Sequence, residues 1–169
     1  MRRLIILAST FCLSIIVLLC ILFNNNEIEN LPFSELPELD IPIFGTDTIY
    51  SFENDPTIEN TVVLFFSPDC SYCEEEISGI IKSGYSSEHS RWIFITNPMS
   101  KDEMPFFLER VPIFKINGSI ILLDSSLRYH SLFGVAAPPS TFVYNEKGRL
   151  VFYTGQSVNP QELIKYLKK

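Results

Sequence analysis

The longest apolar run of the chain lies at its N-terminus, where residues 4–23 contain no charged side chain. A helix of that length, at about 1.5 Å per residue, spans about 30 Å, the thickness of the hydrocarbon core of a bilayer. Arg2 and Arg3 precede the run, and the positive-inside bias places the N-terminus in the cytoplasm. We therefore predict a transmembrane signal-anchor over residues 1–23, a polar linker over 24–30 and one folded domain over 31–169, outside the cytoplasm.

The sequence around Cys20 leaves a second kind of anchor open. Val17–Cys20 is distantly similar to a lipoprotein processing site, in which Cys20 would become a lipidated first residue, but Leu19 is bulky where such sites carry a small residue. In the alternative, Cys12 and Cys20 are apolar thiols that face lipid. With either anchor the folded domain is tethered outside the cytoplasm, and a bacterial periplasm is the expected compartment.

Beyond the linker, short apolar runs alternate with segments of helical periodicity. The run Thr61–Phe66 is continuously β-branched or aromatic, which is typical of a strand buried on both faces of a sheet. The next segment begins at Ser71 and has apolar residues at helical spacing, with Gly84 as a stop signal. The later predicted strands are 91–96, 120–123, 140–144 and 149–153, and the later predicted helices are 100–110, 127–133 and 160–169. This order predicts an α/β domain with a central mixed sheet flanked by helices.

Local signals predict several of these boundaries. A capping-box spacing from Ser100 to Glu103 predicts that a helix begins at residue 100. The segment Asn145–Gly148 predicts a tight turn between two strands, because its glycine can adopt a positive φ. Asn159 before Pro160 predicts the N-cap of the last helix.

The charge balance narrows the class of partner. The chain carries 13 basic and 20 acidic side chains. Without Arg2 and Arg3, the region after the anchor retains 11 basic and 20 acidic side chains, a net charge of −9. Such a field repels phosphate backbones, so nucleic acid is excluded as an expected partner.

Two of the four cysteines, Cys70 and Cys73, lie in the predicted domain. A structural zinc site needs four ligands, and the other soft side chains, His89 and His130, lack the paired spacing of zinc modules. A disulfide across two intervening residues adds little stability, because it removes little entropy from the unfolded chain. A redox-active pair fits best, while a zinc site assembled from distant positions stays open. No metal and no organic cofactor is expected.

The position of the pair favours redox chemistry. Cys70 is predicted at the N-terminus of a helix that follows a strand, where free N–H groups and the helix dipole favour a thiolate. Cys73 is predicted one turn further into the helix and less exposed. This arrangement predicts that Cys70 attacks a partner disulfide and that Cys73 then resolves the mixed disulfide.

These features resemble the thioredoxin fold, and more specifically the membrane-anchored TlpA/ResA-like thiol-disulfide oxidoreductases. The resemblance rests on the strand-to-helix motif Cys70–Cys73, on the stretch FGVAAPPSTF at residues 133–142 and on the hairpin turn at 145–148. The segments 31–32 and 36–40 are similar to the N-terminal extension of this family, which adds a β-hairpin before the core. The resemblance thus implies a thioredoxin-like fold behind one transmembrane helix.

The same resemblance implies roles for residues that contact substrate. Pro139 matches the family's cis-proline, which lies against the cysteines and helps to present them; a Pro-Pro loop before an edge strand is the structural alternative. Pro138 departs from the family, because related proteins pair the backbone of this residue with the bound polypeptide and proline has no N–H. Substrate binding is therefore expected to use carbonyl groups and the side chains of Ser71 and Tyr72.

Carboxylates flank the cysteines. Glu76 lies where the family often has a glutamate, and it is expected to handle the proton of the buried thiol; a first-turn acid that stabilises the helix is the alternative, which fits Glu74 and Glu75 better. Asp69 stands where many thioredoxin-like proteins carry Trp. Its charge opposes thiolate formation at Cys70, from which we expect a stable disulfide and hence a reductant.

The resemblance implies a protein-disulfide oxidoreductase in an oxidising compartment. It would reduce disulfides of exported proteins, of which apocytochrome c is an example, and a membrane thiol donor would recharge it. A disulfide oxidase or isomerase is the alternative among enzymes, and a copper-binding metallochaperone is the alternative from another class, although related copper chaperones use a C-x-x-x-C spacing. A peroxidase is disfavoured, because Val63 stands where peroxiredoxins carry proline.

Overall fold

The computed structural model describes residues 33–50, 57–85, 88–134 and 137–167, together with Ile15. Apart from that one residue, the predicted signal-anchor and the linker lie outside the described residues. Within the ranges that the structure describes, no helix is long and apolar enough to cross a membrane.

A five-stranded mixed sheet forms the centre of the domain. Its strands are β1 (Asn60–Phe65), β2 (Ser90–Thr96), β3 (Ser119–Leu123), β4 (Ser140–Asn145) and β5 (Leu150–Thr154), in the order β3-β2-β1-β4-β5. The first three strands are parallel, whereas β4 pairs antiparallel with β1 and with β5. Every residue of β1 is buried, as expected for a central strand covered on both faces. The predicted mixed sheet is confirmed.

Several helices cover one face of the sheet. A further helix, together with the N-terminal segment 33–50, covers the other face. The helices are α1 (Ser71–Lys82), α2 (Met104–Arg110), α3 (Arg128–Phe133) and α4 (Pro160–Leu167), with 3₁₀ turns at Pro98–Ser100 and Ile113–Lys115. Buried residues of α1, α2 and α4 pack together with Trp92 on one face. Buried residues of α3 and of the segment 33–50 pack together on the opposite face. The predicted α/β architecture is therefore found.

The predicted helix start at Ser100 is wrong. Residues Pro98–Ser100 form a 3₁₀ turn, and α2 begins only at Met104, with Glu103 as an N-cap that makes no side-chain hydrogen bond. Pro105 explains the difference. A helix that began at residue 100 would need the missing N–H of Pro105 in its interior, whereas a proline in the first turn costs no hydrogen bond.

The N-terminal extension contains its hairpin at residues 41–50, later than the stretch 36–40 that suggested it. Backbone hydrogen bonds of 2.8 Å close this hairpin. Its first limb adds to the edge of β3, where Phe44 N donates to Ile121 O at 2.8 Å. The hairpin thus covers the edge of the sheet at β3, which would otherwise be exposed.

Two predicted local signals, one for a turn and one for a helix N-cap, are confirmed. Gly148 has a φ of +70° in the turn between β4 and β5, and its N–H donates to Asn145 O at 2.9 Å. The Asn159 side chain accepts from Gln161 N at 2.8 Å and caps α4. Both signals act through local hydrogen bonds, which is why short sequence motifs suffice to predict them.

Candidate active site at the N-terminus of α1

The first cysteine lies directly after the turn that ends β1. Within this turn, Cys70 N donates to Ser67 O at 3.1 Å, and the Ser67 hydroxyl hydrogen-bonds to the Asp69 carboxylate. Cys70 itself is the N-cap of α1, with φ −89° and ψ 107°. The strand therefore delivers this cysteine to the carboxyl edge of the parallel strands, where α/β proteins commonly place their sites.

Cys70 and Cys73 form a disulfide across the first turn of α1. Their sulfurs lie at bonding distance and their Cα atoms are 5.3 Å apart, within the usual range for a disulfide. Cys73 is fully buried, whereas Cys70 is half-buried. The N–H of Cys73 also donates to Cys70 Sγ at 3.2 Å. Only Cys70 therefore presents its sulfur to a partner, as the sequence predicted.

A proline loop lies opposite this sulfur. The Pro138–Pro139 peptide is cis, and the carbonyl oxygen of Pro138 lies 4.0 Å from Cys70 Sγ. The Ser140 hydroxyl donates to Ala137 O at 2.7 Å, which ties the two ends of the loop together. The predicted cis peptide is confirmed, and the acceptor that faces Cys70 is a carbonyl group.

Glu76 lies inside the domain, on the same side of α1 as Cys73. Its side chain is 2 % exposed. One carboxyl oxygen accepts from Thr141 Oγ1 at 2.8 Å, and the other accepts from Val158 N at 3.2 Å. Burial raises the pKa of Glu76 to about 7, although these hydrogen bonds lower it. A carboxyl with this pKa exchanges protons near neutral pH, which a solvated first-turn acid does not do.

Glu74 has the surface position expected of a helix-stabilising acid. Its carboxylate lies 3.1 Å from Arg110 on α2, and both side chains are partly exposed. Exposed pairs of this kind contribute about 0–1 kcal/mol. Glu75 is exposed on the same turn.

An open pocket of about 350 Å³ adjoins the disulfide. Tyr72, Pro139, Gln156 and Ser157 line it. Tyr72 is 65 % exposed, and Ser71 is exposed beside it. Sequence reasoning missed Gln156 and Ser157, because the loop between β5 and α4 carries no motif and only the fold brings it to the cysteines.

A second pocket of about 740 Å³ lies away from the cysteines, between the residue 41–50 hairpin, the N-terminal end of α2 and the end of β3. None of the predicted site residues lines it. Across the described ranges, no group of three or more His, Cys, Asp or Glu side chains is arranged to hold a metal ion.

The strand order, the disulfide at the start of α1 and the cis-proline opposite it define a thioredoxin-like fold with a C-x-x-C disulfide. No protein-family model matches the chain, and no curated protein sequence matches it.

Solved structures share this fold. StoA from Bacillus subtilis superposes with a TM-score of 0.59 at 14 % identity, over 78 % of this chain and 100 % of that one. A secreted Mycobacterium tuberculosis disulfide oxidoreductase, described as homologous to E. coli DsbE, superposes with a TM-score of 0.60 at 13 % identity, over 77 % and 94 % of the two chains. A thiol:disulfide interchange protein of the thioredoxin family from Chlorobium tepidum gives 0.63 at 12 %, over 79 % and 93 %. At such identities the likeness establishes the fold.

Proposed function

We propose that the protein is a thiol-disulfide oxidoreductase that reduces disulfides of exported proteins through Cys70 and Cys73. The observation that carries this proposal is the asymmetry of the pair. One sulfur is accessible at a helix N-terminus, and the other is fully buried one turn further on. An attacking thiol and a resolving thiol need this difference in access. The structures with the same fold include proteins named as disulfide oxidoreductases and interchange proteins.

The reaction consists of two sulfur exchanges. The Cys70 thiolate attacks one sulfur of the partner disulfide, so that a Cys70–partner bond forms and the second partner sulfur leaves as a thiolate, which takes up a proton. Cys73 then loses its proton to the Glu76 carboxylate and attacks Cys70 Sγ. The first partner sulfur leaves as a thiolate and takes up a proton from solvent, and the Cys70–Cys73 disulfide forms. Two electrons pass from the pair to the partner.

Glu76 is the proposed proton acceptor for Cys73. Both residues lie on the buried side of α1, three positions apart, which places them on one helix face. A carboxyl whose pKa lies near 7 accepts a thiol proton at neutral pH and returns it afterwards. A glutamate with an ordinary pKa is a weaker base, and at neutral pH it would not hold the proton that it takes from Cys73.

A polypeptide substrate would lie along the cis-proline loop. Pro138 has no N–H, so its carbonyl oxygen is the backbone group available to pair with the substrate, as an acceptor. Tyr72 and Pro139 supply apolar surface in the adjoining pocket, and Ser71 supplies an exposed hydroxyl.

The direction and the location of the reaction are further parts of the proposal. The Asp69 carboxylate beside Cys70 disfavours the reduced, thiolate form and so favours a reductant. In an oxidising compartment a reductant needs a supply of electrons, for which we propose a membrane thiol donor. Residues 4–23 would anchor the chain, with the N-terminus in the cytoplasm and the domain in the periplasm; apocytochrome c exemplifies the proposed clients.

Two measurements test the proposal. The Cys70→Ser variant is expected to lose disulfide reductase activity, and unchanged activity would refute the proposed chemistry. A glutathione titration of the Cys70–Cys73 pair is expected to give a reduction potential nearer to that of thioredoxin, about −270 mV, than to that of the oxidase DsbA, about −120 mV. A potential near the second value favours the oxidase or isomerase reaction instead, and stoichiometric copper in the purified protein favours a metallochaperone.

A further inference from the structure

The Glu76 carboxyl is buried, yet it must exchange a proton with solvent once in every cycle of the proposed reaction. Two protein groups hydrogen-bond to it, and a third acts on its pKa. Thr141 Oγ1 donates at 2.8 Å, but Thr141 is itself fully buried. Val158 N donates at 3.2 Å, but a backbone amide does not release its proton. The third group is the Ser157 hydroxyl, next to Val158 in the chain, whose interaction with the same carboxyl lowers the pKa of Glu76.

Ser157 differs from the other two partners because it reaches solvent. Its side chain is exposed and lines the open pocket beside the disulfide, together with Tyr72 and Pro139. A hydroxyl can accept one proton while it donates another, so it can pass a proton between two neighbours. The loop that holds Ser157 is fixed to Glu76 by the adjacent Val158 N–H.

We propose that Ser157 connects the buried Glu76 carboxyl to the open pocket and passes the proton of Cys73 on to solvent. Ser157 acts through Glu76 rather than on the sulfurs, so it is a positioning residue. This inference rests on the proposed function and adds to it the exit of the proton. The open pocket then receives the proton that resolution of the mixed disulfide releases.

The surroundings of Glu76 leave Cys73 as its proton donor. Among the described residues of the elements packed around it, α4 carries the titratable side chains Glu162, Lys165 and Tyr166, and all three are exposed. On β4, Tyr144 packs on the opposite face of the sheet. Cys73 is therefore the titratable side chain that is buried with Glu76 on this face. The proton passes from Cys73 Sγ to the Glu76 carboxylate and then, through the Ser157 hydroxyl, to the pocket.

The test compares Ser157→Val with Ser157→Thr. The two replacements have nearly the same shape and differ in the hydroxyl group. The reduced full chain, with Cys12 and Cys20 replaced by Ser, is mixed with dithiobis(nitrobenzoate). The first coloured thiolate reports attack by Cys70, and the second reports resolution by Cys73. Both rates are measured between pH 5.5 and 8.5.

The valine variant is expected to release the second thiolate about fivefold more slowly at pH 7, with a pH profile shifted upward by about one unit, because the hydroxyl that lowers the pKa of Glu76 is lost. The first release stays unchanged, and the threonine variant keeps the wild-type profile. The inference is overturned if the valine and threonine profiles coincide. If the valine variant does not fold, Ser157→Ala gives the same readout, since no bulk is added.

A second comparison separates a proton path from a general change in structure. In a Glu76→Gln background the proton acceptor is absent, so Ser157→Val is expected to have no further effect on the second release. An additional slowing there would contradict a path through Glu76. If the unmodified pair releases no first thiolate at all, the proposed function fails, whereas a normal first release with identical valine and threonine variants overturns the role of Ser157 alone.

Discussion

Replacing Glu76 with glutamine should change how the stability of the fold depends on pH. The carboxyl has a pKa of about 7 in the folded protein against 4.5 as its ordinary value, and burial is the main cause. Below pH 4.5 the group is protonated in both states and the fold has its full stability. As the pH rises from 4.5 to 7, the unfolded chain releases this proton while the folded chain keeps it, so the unfolded state is favoured.

The size of this effect follows from the same values. The difference between the folded and ordinary pKa values corresponds to about 3 kcal/mol, since one pKa unit is about 1.36 kcal/mol. Glu76 is 2 % exposed, so solvent screening does not reduce the figure substantially. Glutamine has nearly the same shape and does not ionise. The free energy of unfolding of the wild type, minus that of Glu76→Gln, should therefore fall by about 3 kcal/mol between pH 4 and pH 8.

Urea unfolding of the oxidised full chain at several pH values measures this difference. Contributions of other titrating groups cancel in the comparison of wild type with variant. Glu75→Gln is the matched control, because the neighbouring Glu75 side chain is exposed and its difference should stay flat. A flat difference for Glu76→Gln as well would refute the claim that burial holds this carboxyl protonated up to neutral pH.

Two further changes test the surroundings of the disulfide and the packing of α1. Asp69→Asn removes a negative charge beside Cys70, which should stabilise the reduced form and raise the reduction potential in a glutathione titration; a lower potential would contradict the proposed effect of this charge. Gly79→Ala should destabilise the fold by about 1–2 kcal/mol in urea unfolding, because the new Cβ would lie 2.8 Å from Pro160 Cγ and overpacking outweighs the gain in helix propensity. Unchanged stability would show that α1 and α4 separate without cost.

Features that depend on neighbouring residues could be predicted from the sequence. The continuous apolar run of β1 and the turn ending at Gly148 are local, and each needs only a few adjacent residues. The two cysteines could be assigned because a strand followed by helical periodicity places Cys70 at a helix end. The start of α2 differs from the capping-box prediction because Pro105, which lies in the first turn of the helix, decides where that helix begins.

The environment of Glu76 could not be worked out from the sequence. Its hydrogen-bond partners Thr141 and Val158 lie 65 and 82 residues away along the chain. No periodicity links these positions, because strand pairing and the packing of α1 on the sheet bring them together. The pocket residues Gln156 and Ser157 could not be predicted from the sequence for the same reason. Asp124 is a further example, since its carboxylate caps α3 by accepting from Arg128 N and from Tyr129 N, at 2.9 and 2.7 Å.

Capture of a mixed disulfide tests the central claim most directly. A Cys73→Ala variant retains the attacking thiol but lacks the resolving thiol, so it should accumulate a covalent adduct with a disulfide-containing polypeptide. The adduct should be visible by mass spectrometry, should disappear on reduction and should be absent from a Cys70→Ala variant. An adduct that forms equally well without Cys70, or no adduct with Cys70 present and reduced, would contradict the account.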